Sequence, residues 1–576
     1  MSAYDLVIRD GIIIDGTGDE PSHGDVAVND GYIVDVGDVE GKGAREISAD
    51  GAWVAPGFVD IHTHYDGQLT WDKSLAPSSW HGVTTVVTGN CGVGFAPVRT
   101  DDRQRLIELM EGVEDIPGAA LHEGLPWTWE SFPEYMDATA KLPHDINYGL
   151  QLAHGPLRLY VMGERGAQRE RATAADIRKM RQIAAEAIAA GALGFTTSRT
   201  MNHRTSTGDL APTLDASTEE LVGIAAGLRD AGTGVLQVVS DFADPASEFA
   251  TLRAMAQESG RPLSISLAQN PNAPHAWEEV LDLVDEANGD GLRVRAQVAT
   301  RGIGLLLGLQ CTLNPFMMNP VYQEIEELPI PERARQMRDP SFKERLLDAA
   351  TDDRERTKLG GRLIGKFHLM YELGDPPDYE PSAAESIEAR AATMGCRAEE
   401  LAYDLLVKGD GSGFLYLPLL NYADGNLDVV RKMLVHPHTV PGLSDGGAHV
   451  GTICDGSFPT TLLGYWGLDR NHNRIPIPFI VKRHCRDTAE TVGLFDRGLV
   501  QAGYRADLNV IDPHALRLHE PEMHFDLPAG GKRLLQRSSG YKCTIVNGEV
   551  AYLDGESTGA MPGKLVRGGQ AAPTHL

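Results

Sequence analysis

The middle of this chain is a succession of short apolar strands separated by stretches of helical pattern. Eight such strands can be placed, at residues 58–64, 83–90, 147–153, 192–198, 234–240, 262–268, 293–299 and 439–445. Strands that alternate with helices run parallel and are covered on their outer face. Eight of them are the number that closes a (β/α)8, TIM-type barrel, an α/β architecture that carries its chemistry at the C-terminal ends of its strands. Two of the intervening helices have clear start signals. Thr173 and Asp176 open a run that puts Ile177, Met180, Ala184 and Ile188 on one face, and Ser217 to Glu220 forms a capping box before Leu221.

The two ends of the chain have a different pattern. The first fifty residues alternate β-patterned runs with turns, including Asn29-Asp30-Gly31, a strong hairpin signal, and similar runs return at 503–512 and 543–552. The expected organisation is therefore a β-sandwich built from residues 1–56 and 486–555, a barrel over 57–485, and a tail at 556–576 whose Gly, Pro and Thr content leans toward a loose segment. More than a hundred residues separate the seventh and eighth strands, too many for a barrel loop. Residues 324–358 and 382–408 look helical, which predicts a helical insertion at about 303–415, before the last barrel strand.

Bulk properties narrow the partners. A formal charge of −29 and a pI near 5.0 argue against nucleic acid and anionic membranes, which require a basic face. The acidic N-terminus does not resemble a secretory leader, no apolar run approaches a membrane span, and six scattered cysteines form no disulfide framework. A cytoplasmic protein acting on a small molecule is the expectation, with homo-oligomerisation left open.

The first strand ends in His62-Thr63-His64. Side chains alternate along a strand, so the two histidines project to one side and can grip a single metal ion. Nineteen histidines give such a pair by chance about once, and His436-Pro437-His438 is a second example, read here as surface loop histidines. Position singles out the first pair, because it lies where a barrel places its chemistry. Cys91, flanked by Gly89 and Gly92 after the second strand, is a candidate thiolate ligand, and its alternative is a buried structural cysteine. Asp445, ending the eighth strand in Ser444-Asp445-Gly446-Gly447, could bind the metal and take a proton from its water, although the same tetrapeptide is an ordinary turn.

Taken in order, the motifs around His62-Thr-His64-Tyr-Asp66, Gly82 to Val93, His154-Gly-Pro-Leu-Arg158, Gly191 to Ser198 and Leu443-Ser-Asp445-Gly resemble the amidohydrolase superfamily. More narrowly, they resemble its N-acyl-D-amino-acid deacylase (D-aminoacylase) family, over nearly the whole chain. The resemblance implies that His62 and His64 bind Zn2+, that Cys91 is a ligand where many relatives use a carboxylated lysine, and that Asp445 is the catalytic acid/base. It implies hydrolysis of a C–N amide bond by zinc-activated water, while the departures from the family favour about one zinc per chain, held by His62, His64, Cys91 and Asp445. Departures are equally specific. Where the family carries histidine ligands on strands five and six, this chain has Val239 and Leu267, and only Asp241, if the fifth strand is shifted, could replace one of them. Where the family has Tyr-Pro-Tyr, Gln297 to Gly302 occurs, with Arg301 as a candidate carbonyl or carboxylate partner. His154, Arg199, His203 and Tyr422 complete the substrate-binding candidates, and Arg158 and Arg204 lie beside them. Alternatives are hydrolysis of another amide, a carbamate or a cyclic imide, or a non-catalytic scaffold.

Overall fold

The structure is a computed structural model that describes residues 3–349 and 365–574. Eight parallel strands form the central sheet, each at one of the expected places. They are β1 (Phe58–Asp60), β2 (Val83–Thr88), β3 (Asn147–Ala153), β4 (Gly194–Arg199), β5 (Val235–Ser240), β6 (Leu263–Leu267), β7 (Val294–Val298) and β8 (Thr439–Pro441), hydrogen-bonded in that order. Every residue of β2 and β3 is buried, as expected of strands covered on both faces. The ring closes beyond the regular strands. His64 N donates to Gly446 O at 2.8 Å and Asp445 N donates to His62 O at 3.1 Å, so the residues that follow β1 and β8 pair directly.

The helix Ala174–Ala190 starts at Thr173 with a reciprocal capping box to Asp176, as its sequence predicts. At Thr218–Ala231 the outcome differs. Ser217 Oγ accepts from Glu220 N, but the Glu220 carboxylate turns inward to Arg158 and His154. A buried guanidinium outcompetes the helix terminus for that carboxylate.

The two chain ends meet in one continuous nine-stranded sheet. Tyr4–Ile13 stands near its middle, flanked by Ser22–Asn29 on one side and by Trp53–Pro56 on the other, with Leu508–Ile511 and Tyr541–Val546 following. Leu6, Ile8, Val26, Val54, Leu508, Val510 and Ile545 share its core. A long hairpin, Arg517–Leu527 with Gly531–Ser539, leaves this sheet and packs over the barrel's C-terminal end, where Leu534 N donates to Val450 O at 2.6 Å. Over its described residues, 556–574, the tail is ordered, against its loose composition. Gly563 N donates to His144 O and Val566 N to Tyr148 O, and a Cβ at Gly563 would stand 2.0 Å from Ile146 O, so its glycine allows the close approach.

The insertion between β7 and β8 contains the helices Ile330–Met337, Pro340–Asp348, Ile387–Met394 and Ala398–Leu406. They rest on a three-stranded antiparallel sheet of Ile303–Leu307, Phe414–Leu420 and Tyr371–Leu373, which the sequence reading did not foresee. Leu305, Leu307, Tyr403, Leu406, Leu415 and Leu417 form a core of its own. The expected helical stretch 324–358 is broken at Asp339-Pro340, and its last part, 350–358, lies outside the described residues. Among the described residues no helix is long and apolar enough to cross a membrane.

Candidate metal centre

The donors converge at the C-terminal end of the barrel. His62 and His64 follow β1 and both are buried. Cys91 reaches them because the loop after β2 is tightly wound, with positive φ at Gly89, Cys91 and Gly92. Gly89 permits it sterically, since a Cβ there would lie 2.2 Å from Gln151 O. Asp66 braces the same turn by accepting from Thr88 Oγ1 and from Gly89 N at 3.2 Å.

One ligand atom from each of His62, His64 and Cys91 lies within 4.8 Å of the others. His62 Nε2 is 3.2 Å from Cys91 Sγ, and Asp445 Oδ1 stands 3.5 Å from His62 Nε2 and 3.6 Å from His64 Nε2. Behind the ligands, His62 Nδ1 meets Gln297 Oε1 at 2.7 Å and His64 Nδ1 meets Glu114 Oε1 at 3.2 Å. The Gln297 contact assigns the His62 proton to Nδ1 and turns its Nε2 lone pair toward the centre, whereas the Glu114 contact with His64 is a close charge pair rather than a directed hydrogen bond.

The electrostatics fit a cation. Burial pushes the Cys91 thiol up to about 12 despite His64 beside it. Burial also lowers His62 to about 4, against the attraction of Asp445. For His64, burial is outweighed by Glu114 and Asp445, and its pKa rises well above the usual value. Asp445 would be raised by burial, but His64 beside it and the charges of His62 and His449 hold it far below the carboxylate range. Glu114 is buried with no well-directed hydrogen bond to either oxygen. Two imidazole nitrogens, a sulfur and carboxylate oxygens form a donor set suited to zinc or a similar divalent ion, whose charge would compensate the thiolate and the buried carboxylates.

Glu114 and Gln297 escaped the sequence reading. Glu114 ends the helix Arg103–Glu114, far from any ligand motif, and only its place beside a barrel mouth could have marked it. Gln297 lies in the segment singled out for Arg301, yet it is the glutamine that faces His62. His449, 3.9 Å from Asp445 Oδ2 and 3.6 Å from Glu114, was also missed.

The expected substrate-binding residues separate into two groups. His203 is near enough to the centre to feel its charges. Burial, with His449 and His64 nearby, lowers it to about 3, and its Nδ1 meets Ser198 Oγ at 2.8 Å. The others are engaged elsewhere. His154 contacts Thr197 and Glu220, and Arg158 contacts Glu220, Gly166 O and Pro212 O. Arg199 pairs with Glu248 and donates to Ala216 O, while Tyr422 OH donates to Pro381 O at 2.5 Å. Arg301 is buried against Asp455, Cys454 O and Thr461, with its guanidinium 3.5 Å from the centroid of Tyr379. The polar heads of His154, Arg199, Tyr422 and Arg301, expected to face substrate, each meet partners within the fold. Arg204 donates to Gly208 O in its own loop. Asp241 caps the loop at Thr200 and Met201. Val239 and Leu267 pack into the apolar core.

A family model described as the amidohydrolase family matches residues 45–356 and 417–552. The D-aminoacylase of Alcaligenes xylosoxydans xylosoxydans is 27% identical over 572 residues, covering 98% of this chain and 97% of its own. The N-acyl-D-aspartate deacylase of the same organism is 28% identical over 587 residues, covering 99% and 96%. A solved D-aminoacylase, described as having a binuclear metal centre with one-metal activation and second-metal attenuation, superimposes with a TM-score of 0.65 at 25% identity, covering 98% of this chain and all of that one.

Proposed function

Because the chain belongs to the amidohydrolase family, we propose that it is a zinc-dependent hydrolase that cleaves the amide bond of N-acyl-D-amino acids. The observation that carries this reading is the convergence of His62, His64 and Cys91 with Asp445 set against both histidines. One zinc ion held there would acidify a water molecule and polarise the substrate carbonyl.

This chain's own groups supply the rest. Gln297 holds the His62 ring with Nε2 inward, and the Glu114 carboxylate stands 3.2 Å behind His64 Nδ1. Asp445 Oδ1, 3.5 and 3.6 Å from the two Nε2 atoms, is placed to accept a proton from the attacking water at one carboxylate oxygen. The same carboxylate then returns that proton to the leaving nitrogen, giving an acid and an amine. The deacylase relatives support an N-acyl-D-amino acid as substrate.

Val239 and Leu267, on β5 and β6, replace expected ligands, which favours one ion over two. The same replacements alter the barrel wall and favour, as a second reading, a different amide, carbamate or cyclic imide. A panel of N-acyl-D-amino acids, their L-enantiomers and simple aryl amides, assayed for amine release, separates the two. Turnover of the D-series is expected, and turnover of the aryl amides alone would overturn the deacylase assignment.

A further inference from the structure

We infer a second metal site at the opposite end of the barrel, formed by Asp285, His436 and His438. It is independent of the proposed amide hydrolysis. Asp285 lies on the helix Ala276–Gly289 that leads into β7, and the two histidines sit between the helix Asp428–Val435 and the start of β8. One donor atom from each lies within 4.8 Å of the others. Asp285 Oδ1 is 2.8 Å from His438 Nδ1, and Asp285 Oδ2 is 3.3 Å from His436 Nε2.

The backbone that presents them is pinned. His436 leaves its helix at φ −64° and ψ 140°, and the turn through Pro437 to His438 is closed by Thr439 N donating to His436 O at 3.3 Å, with both histidine rings meeting the Asp285 carboxylate. Arg483 Nη2 donates to His436 O at 2.7 Å, Thr439 Oγ1 donates to it at 3.0 Å, and Arg295 Nη1 donates to Pro437 O at 2.9 Å. Asp285 is held by its helix, whose Val280, Leu281 and Val284 are buried in the barrel core. Three donors from two separately anchored elements therefore converge before any ion arrives.

The side chains are 48%, 20% and 34% exposed for Asp285, His436 and His438, so water can fill the remaining coordination positions. Two imidazoles and one carboxylate suit a first-row divalent cation such as zinc, nickel or copper better than magnesium or calcium, which prefer all-oxygen shells. When Nε2 of His436 is a ligand its Nδ1 carries the proton, and the 3.3 Å contact from the His438 amide to that atom gives way. The ion would staple the helix before β7 to the strand that follows the insertion.

The test uses the full chain, stripped with a chelator and titrated with Zn2+ by calorimetry and with Co2+ by absorption, beside His438→Ala and Asp285→Asn. The wild type is expected to take up one equivalent more than either variant. The missing equivalent should lack the thiolate-to-cobalt charge-transfer band, which the variants keep through Cys91. Zinc should also raise the wild-type Tm more than that of the variants. Equal uptake by wild type and both variants, or loss of the thiolate band with the missing equivalent, would overturn the inference.

Discussion

Asp445 owes its charge to its neighbours. Burial favours the protonated acid, and His64, His62 and His449 reverse that preference, so one aspartate can be enclosed and remain ionised. His484 has no such help. Its ring lies 5.2 Å from that of Phe58, both its nitrogens are buried without a partner, and burial lowers it to about 3. The unfolded chain therefore binds a proton that the folded chain refuses, from about pH 6.5 down to about pH 3. Stability from this residue is complete above that window and is lost as pH falls through it. At pH 5 the loss is about 2 kcal/mol. His484→Phe should remove it, flattening the pH dependence of the denaturation midpoint between pH 7 and 5. An unchanged slope in the variant would show that His484 has a polar partner or takes up its proton in the folded state.

At the scale of elements, the turn after β2 decides whether a cysteine becomes a ligand. Gly89 at φ 88° lets the chain pass against Gln151 O, and Cys91 is thereby carried to His62. Gly89→Ala should weaken zinc binding at least about tenfold and lower the Tm, because a side chain at that φ is strained and would meet backbone. Zinc affinity equal to wild type would show that the turn does not set the Cys91 position. The eight strands were legible because period and burial act locally: an apolar run between turn signals has few other uses. His62, His64, Cys91 and Asp445 were legible because each ends such a run. Glu114 was not, since nothing in Met110-Glu111-Gly112-Val113-Glu114 distinguishes a solvated glutamate from one turned toward a histidine. Arg301 misled for a related reason. A guanidinium beside a strand end suits substrate or structure equally, and only the positions of Asp455 and Tyr379 decide.

For the whole molecule, long-range pairing fixed what local pattern could not. The β-pattern of the two chain ends predicts that they join in a sandwich, and they meet in one continuous sheet. The hairpin Arg517–Leu527 with Gly531–Ser539 has the same pattern yet leaves that sheet for the barrel mouth, a choice made by contacts with distant residues such as Val450. The same geometry brings Asp445, from the far side of a long insertion, against histidines that follow the first strand. The central claim is that this aspartate moves the proton while the other groups hold the ion. It is tested most directly by measuring zinc content and turnover of Asp445→Asn beside the wild type, on whichever substrate of the panel the wild type hydrolyses. The variant is expected to keep most of its zinc and to lose turnover by at least about a hundredfold. Near-wild-type turnover with zinc in place would contradict the account.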